Sequence, residues 1–426
     1  MDSLEFEDDS KSSPQLRFAK WLSVQANYKT KDGVIFKYVG THWQAQNVGD
    51  TERVAFNWLA KHAPAKASEK TAVSCVASAV MYLSPIPAIE RDQKIVKIPV
   101  LNGTLHIETE GTSMHDSSPE DGLTHCVSCR YLQDAPRGMF MDYLRSSLPD
   151  DDVKNFVQEY VGYTLISDTR HQFALWLVGD GGTGKGTFCE MVAALHGKSR
   201  VASMKIGVGQ LQGFNLSALL GASLVLVDET PQRIDEQSIK TLISGDLTSA
   251  DRKYRDVVSF KPTAKWLICG NGMPSFSDQT NGVWRRFAIV PFDVKSRAVP
   301  LLAESIILNE LPGVLNWAVE GLERLLARGR FAELPEQMRV RKEQARIEND
   351  SVVAWREDVC PVVAEQSGGG MPRCKIYQSY SLFCLSNGLK SVSSIKFWQR
   401  LQTAYPGLIE FRRGTERTRC ANLLVP

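Results

Sequence analysis

The sequence predicts an α/β fold built on a parallel or mixed sheet, and three observations lead there. Short apolar strands at 174–178, 223–227, 266–269 and 287–290 alternate with helix-like segments. The first strand runs into a glycine-rich turn that opens a helix at 188–195. The second ends in two adjacent carboxylates, Asp228 and Glu229. Carboxylates at the tip of a buried strand lie at the C-terminal edge of a sheet, where α/β ligand sites form.

The chain has 426 residues, enough for two to four domains, each with its own core. With 43% hydrophobic and 23% charged residues, its composition is that of a soluble globular protein. A net charge of +2 neither demands nor excludes a nucleic-acid partner, so any basic surface must be local. Nine scattered cysteines form no disulfide framework and fit a reducing compartment. The acidic start lacks the basic and apolar regions of a signal peptide, and no apolar run approaches the ~20 residues that span a bilayer. A soluble protein of the cytoplasm, with no membrane partner, is expected.

Residues 1–14 read as a mobile acidic tail and 15–150 as an N-terminal α+β domain. Within that domain, 34–43 and 95–107 read as strands, with turns at 39–41 and at Asn102-Gly103. An acidic helix start opens 150–167, and the α/β core is taken as 151–299. Residues 300–350 form a helical lid and connector, strongly helical in pattern at 300–330 and charged at 338–350. The glycine run at 367–372 reads as a flexible joint within the last domain, 351–426, whose end reads as helix, helix and hairpin.

The glycine-rich turn carries the strongest signal. It runs Gly179, Asp180, Gly181, Gly182, Thr183, Gly184, Lys185, Gly186, Thr187 and Phe188, between a strand and a helix. Glycines let backbone N–H groups approach phosphates closely, and the helix N-terminus adds a favourable dipole. Lys185 is placed to meet the β- and γ-phosphates of ATP, and the Thr187 hydroxyl to bind Mg²⁺. Gly186 stands where a hydroxyl residue usually follows the lysine, a spacing that small-molecule kinases also use.

Asp228, 43 residues after Lys185, is the second candidate Mg²⁺ ligand, and Glu229 the group that orients and deprotonates water. A kinase has little use for Glu229, so the pair favours hydrolysis. Asn271 ends the third strand and can hydrogen-bond a γ-phosphate or the attacking water. Arg285 and Arg286 precede the fourth strand and are candidates to stabilise transition-state charge from a neighbouring subunit.

These four motifs resemble those of superfamily 3 helicases, and above all the poxvirus and phage/plasmid primase–helicase family. Lys185 and Thr187 match its first motif, Asp228 and Glu229 its second, Asn271 its sensor, and Arg285 with Arg286 its arginine-finger pair. Lys240, Gly245, Asp246, Arg252, Lys253 and Arg255 match the segment holding its DNA-contacting hairpin. Loose similarity extends on both sides of the motor. The resemblance implies an AAA+ P-loop ATPase core, a C-terminal winged-helix domain, a hexameric ring and 3′ to 5′ unwinding of single-stranded and forked DNA. Larger members carry a primase domain upstream for which 15–150 leaves no room, so primase activity is not implied, and a separate primase or initiator is a conceivable partner.

Two basic segments are DNA candidates. Arg252, Lys253, Tyr254 and Arg255 mix cations with an aromatic, the combination that grips phosphates and stacks a base. Near the end, Arg412, Arg413, Arg417 and Arg419 lie on one hairpin, after a helix whose N-cap is read as Ser394. Cys126 and Cys129 lack a second ligand pair, so zinc is not expected. Cys189 and Cys269 read as small core residues. Two other readings stay open: a small-molecule kinase, and an origin-binding or repressor protein without enzymatic activity.

Overall fold

The computed structural model describes residues 12–25, 27–89, 95–252, 255–274, 276, 281–295, 299–364, 369–389, 391–405, 407–415 and 417–425. At its centre lies a five-stranded parallel sheet of β1 (Ala174–Val178), β2 (Val201–Ser203), β3 (Leu224–Val227), β4 (Lys265–Gly270) and β5 (Phe287–Pro291). Its spatial order is β5-β1-β4-β3-β2. Every residue of β1, β4 and β5 is buried, which fits a parallel sheet covered on both faces. The sequence reading placed four of these strands to within about one residue at each end. It missed β2, whose three residues are too few to show a period.

Helices cover both faces. One face packs against α1 (Asp151–Thr164), α2 (Lys185–His196) and α4 (Leu302–Arg328), in a core that includes Leu175, Leu177, Phe156, Val192 and Leu322. The helices α1 and α4 meet through glycines: a Cβ on Gly162 would sit 2.5 Å from the Ala318 carbonyl oxygen, and one on Gly321 2.4 Å from that of Gln158. The other face holds Trp176, Trp266, Ile268 and Ile289 against α3 (Glu236–Ser244) and neighbouring loops. Residues 96–148 share the first core, through Ile98, Leu105, Phe140 and Leu144. Val96–Val100 and Gly103–Glu108 form a hairpin whose turn is Leu101-Asn102, one residue before the Asn102-Gly103 turn expected.

Residues 14–83 build a separate core of Phe18, Leu22, Ile35, Trp58 and Cys75, beneath three helices and a three-stranded sheet. Ser13 caps the first helix, Pro14–Val24, so helix begins inside the segment read as a tail; residues 1–11 lie outside the described residues. The C-terminal unit packs Trp355, Ile376, Tyr380, Phe397 and Leu401 beneath a small sheet. Two details correct the sequence reading there. Ser393, not Ser394, caps the helix Ser394–Ala404, because its side chain accepts from the Lys396 amide. Met371–Pro372, read as part of a joint, instead pairs with Cys420 and Ala421 as a strand. Gly370 permits that approach, since a Cβ there would lie 2.0 Å from the Ala421 carbonyl oxygen.

Candidate functional site

The glycine loop leaves β1 and feeds α2, whose first residue is Lys185. Gly182 and Gly184 take φ of +79° and +96°, conformations that glycine adopts without the strain a side chain would add. Around Gly181, Gly182 and Gly186, a Cβ would meet nothing within 4 Å, so the outer side of the loop is open at these three positions. The rear is tight: a Cβ on Gly179 would lie 2.0 Å from the Phe292 carbonyl oxygen. An open mouth on a rigid back fits a phosphate chain, and the first-turn amides of α2 supply donors for it.

Lys185 points into the loop. Its ammonium donates to the carbonyls of Gly179 at 2.6 Å and Asp180 at 2.7 Å, and to Thr183 Oγ1 at 3.3 Å. An ammonium has three donors, so an arriving phosphate must replace at least one of these contacts. Thr187 is half-buried on the first turn of α2, Phe188 is buried beneath it, and Asp180 is exposed with Lys295 3.5 Å away.

Parallel register brings the other motifs to the same edge. Trp176 and Val227 both pair with Ile268, and Val178 pairs with Gly270. Asp228 and Glu229, both exposed, and Asn271, also exposed, therefore emerge beside the loop. The chain runs from β1 to β2 and returns through β3 to β4, so β1 stands at a reversal of strand order, where crevices open at strand ends.

Two residues absent from the sequence reading hold this edge together. Thr230 Oγ1 accepts from Trp176 Nε1 at 3.2 Å and donates to the Cys269 carbonyl at 2.9 Å, tying the acid-bearing loop to β1 and β4. Its neighbour Gly270 leaves room, since a Cβ there would meet Thr230 Oγ1 at 2.2 Å. Tyr143, on the helix Gly138–Ser147, donates to the Gly184 carbonyl at 2.8 Å. Thr230 had a local signal, one residue after the acid pair. Tyr143 had none, because it precedes the loop by about 40 residues and meets it only through packing.

The two arginines are treated differently. Arg286 donates through Nη1 to the Gly282 carbonyl at 2.6 Å and through Nη2 to Ser244 Oγ at 2.9 Å, which binds it within its own chain. Burial, with Arg285 nearby, lowers its pKa. Arg285 is exposed.

The hairpin candidate forms two antiparallel strands, Thr248–Arg252 and Arg255–Phe260, between α3 and β4. Lys253 and Tyr254 lie outside the described residues. Lys240 is half-buried on α3. In the C-terminal hairpin, Arg412, Arg413, Arg417 and Arg419 are all exposed, and Arg412 stands directly opposite Arg419. The structure thus brings the loop, the acids and Asn271 to one edge, and leaves the arginine-rich hairpin on a separate unit.

Comparison with known proteins adds relatives. A family described as D5 N terminal like matches residues 15–149, and a family of unknown function, DUF5906, matches 177–286. A protein of Acanthamoeba polyphaga mimivirus named "Putative helicase L207/L206" is 24% identical over 199 residues, which is 43% of this chain and 20% of that relative. The matched stretch is thus about one fifth of the relative's length. Two apo structures of the NrS-1 C-terminal region align over 97% of this chain and 100% of theirs, at a TM-score of 0.52 and 13% and 12% identity. That likeness concerns the fold alone. Among the described residues, no helix is long and apolar enough to cross a membrane. With both family matches, the viral relative and the shared fold, the chain fits the phage and viral primase–helicase family.

Proposed function

We propose that the protein is an ATP-driven DNA helicase of superfamily 3, with an AAA+ P-loop core and a C-terminal winged-helix domain. It works as a hexameric ring in the replication of a phage, plasmid or other mobile element. The observation that carries this reading is the convergence of a glycine loop open at Gly181, Gly182 and Gly186, two exposed carboxylates and Asn271 at one edge of a parallel sheet.

The loop amides and Lys185 bind the phosphates of ATP, and Lys185 gives up a loop carbonyl to do so. Thr187 and Asp228 are the residues that would hold Mg²⁺. When bound, Mg²⁺ neutralises charge on the β- and γ-phosphates. Glu229 orients the attacking water and accepts its proton, and Asn271 fixes the γ-phosphate or that water. Arg285 of one subunit reaches the ATP of the next, while Arg286 keeps its own strand in place. The exposure of Arg285 and the intrachain bonds of Arg286 support this division. Movement of the strand pair Thr248–Arg252 and Arg255–Phe260 carries one DNA strand along in the 3′ to 5′ direction. The C-terminal arginines hold DNA by its phosphates: two like charges directly opposite on a hairpin repel, and an anion between them relieves that repulsion.

The test is ATP turnover with and without single-stranded DNA, in wild type and Lys185→Ala. DNA should raise the turnover of wild type, and the variant should show none. Turnover that ignores DNA would favour a small-molecule kinase. No turnover under ring-forming conditions would favour an origin-binding protein.

A further inference from the structure

We propose that Cys189 and Cys269 form an oxidisable dithiol behind the glycine loop, which a hydroperoxide converts to a disulfide that halts turnover until it is reduced. The effect on turnover rests on the motor reading; formation of the disulfide does not.

The two Sγ atoms lie 3.3 Å apart, with nothing between them. Both residues are nearly buried, at 6% and 8% exposure. Cys189 sits one helical turn after Lys185, on the same face of α2. Cys269 precedes Asn271 by two residues, and its carbonyl is the one that Thr230 holds. The sulfur pair therefore bridges the helix that carries the candidate phosphate-binding lysine and the strand that leads to Asn271. Its backbone is also tied to the loop bearing Asp228 and Glu229.

The chemistry balances with one named oxidant. Cys269, the slightly more exposed of the two at 8% against 6%, is the sulfur that meets the hydroperoxide. Its thiolate attacks the hydroperoxide. An S–O bond forms, the O–O bond breaks, and the alkoxide leaves as an alcohol with the thiol proton. The Cys189 sulfur then attacks the sulfenic acid. An S–S bond forms, the S–O bond breaks, and hydroxide leaves as water with the second thiol proton. Two thiols and one hydroperoxide give one disulfide, one alcohol and one water.

A disulfide holds its sulfurs about 2.05 Å apart. The pair must close by about 1.2 Å, and whatever side-chain rotation does not absorb is imposed on α2 against β4. A misplacement of about 1 Å among reacting groups costs about 10²-fold in rate.

The experiment treats the reduced full chain with hydrogen peroxide, followed by alkylation, peptide mapping and ATP turnover. We expect a linked peptide joining Cys189 to Cys269, turnover lower by about 10²-fold, and recovery with dithiothreitol. Cys189→Ala and Cys269→Ala should each resist the loss. Should either variant fail to fold, mapping and reductive recovery in wild type still decide the question. The proposal fails if peroxide doses that oxidise the exposed Cys360 and Cys374 leave no Cys189–Cys269 link. It fails equally if the link forms and turnover is unchanged. If the reduced protein has no ATP turnover, the motor reading falls. Mapping then decides the dithiol, and the change in binding of a fluorescent ATP analogue on oxidation decides its effect.

Discussion

Replacing Arg285 and Arg286 one at a time should separate two roles that adjacent positions hide. Arg286→Ala removes hydrogen bonds to the Gly282 carbonyl and to Ser244 Oγ within its own chain. Bonds to a charged donor contribute about 1.5–3 kcal/mol each, and partial exposure reduces that, so a stability loss of about 2–3 kcal/mol is expected. Arg285 is exposed, and Arg285→Ala should change stability by less than about 0.5 kcal/mol. Its turnover, however, should fall by about 10³-fold, with nucleotide binding intact, because a trans arginine acts on the transition state. Urea unfolding measures the first effect and ATP turnover the second. Mixing subunits gives the decisive number. In an equal mixture of Lys185→Ala and Arg285→Ala subunits, about one interface in four joins an intact Lys185 to an intact Arg285. Turnover should recover toward that fraction. If no mixing ratio restores turnover, or if Arg285→Ala unfolds the protein while Arg286→Ala is stable and inactive, the assignment is wrong.

Three further outcomes follow from the same geometry. Thr230→Val keeps the shape but leaves Trp176 Nε1 without its partner, which should cost about 1–3 kcal/mol and lower turnover by loosening the acid-bearing loop; unchanged urea midpoint and turnover would remove Thr230 from the site. Burial pushes His125 and His196 down to about 3, so the folded state favours their neutral rings while the unfolded chain takes up protons below about 6.5. Stability should therefore be full above pH 6.5 and fall as the pH drops toward 3, by about 2 kcal/mol per histidine at pH 5. Urea unfolding at pH 7 and 5 checks this, and a flat response would refute it. Arg412→Ala and Arg419→Ala should each weaken DNA binding regardless of sequence and reduce the salt slope by about 0.7–0.9, without loss of stability, as read by titration across salt concentrations.

The chemistry-bearing segments were legible because their signals are local. A phosphate loop needs its glycines, lysine and helix start within about ten residues, and a buried strand declares its end by the first charge after an apolar run. That is why Gly179–Thr187 and Asp228-Glu229 stood out and why four central strands were placed so closely. β2 was not legible, since three residues carry no period. The Ser393 cap was missed by one position, because two adjacent serines look alike until the helix axis selects which hydroxyl reaches an amide.

Local spacing alone therefore singled out the candidate residues for a triphosphate site and predicted the α/β sheet that carries them. Strand order, which no local pattern encodes, decided that β4 enters between β1 and β3, so that Asn271 comes out beside the loop and the acids. Packing over distances of tens of residues placed Tyr143 behind Gly184, set Cys189 against Cys269, and bound Arg286 while leaving Arg285 exposed. Backbone propensity and hydrophobic period act over a few neighbours, whereas the fit of one side chain against another depends on which elements the closed core brings face to face.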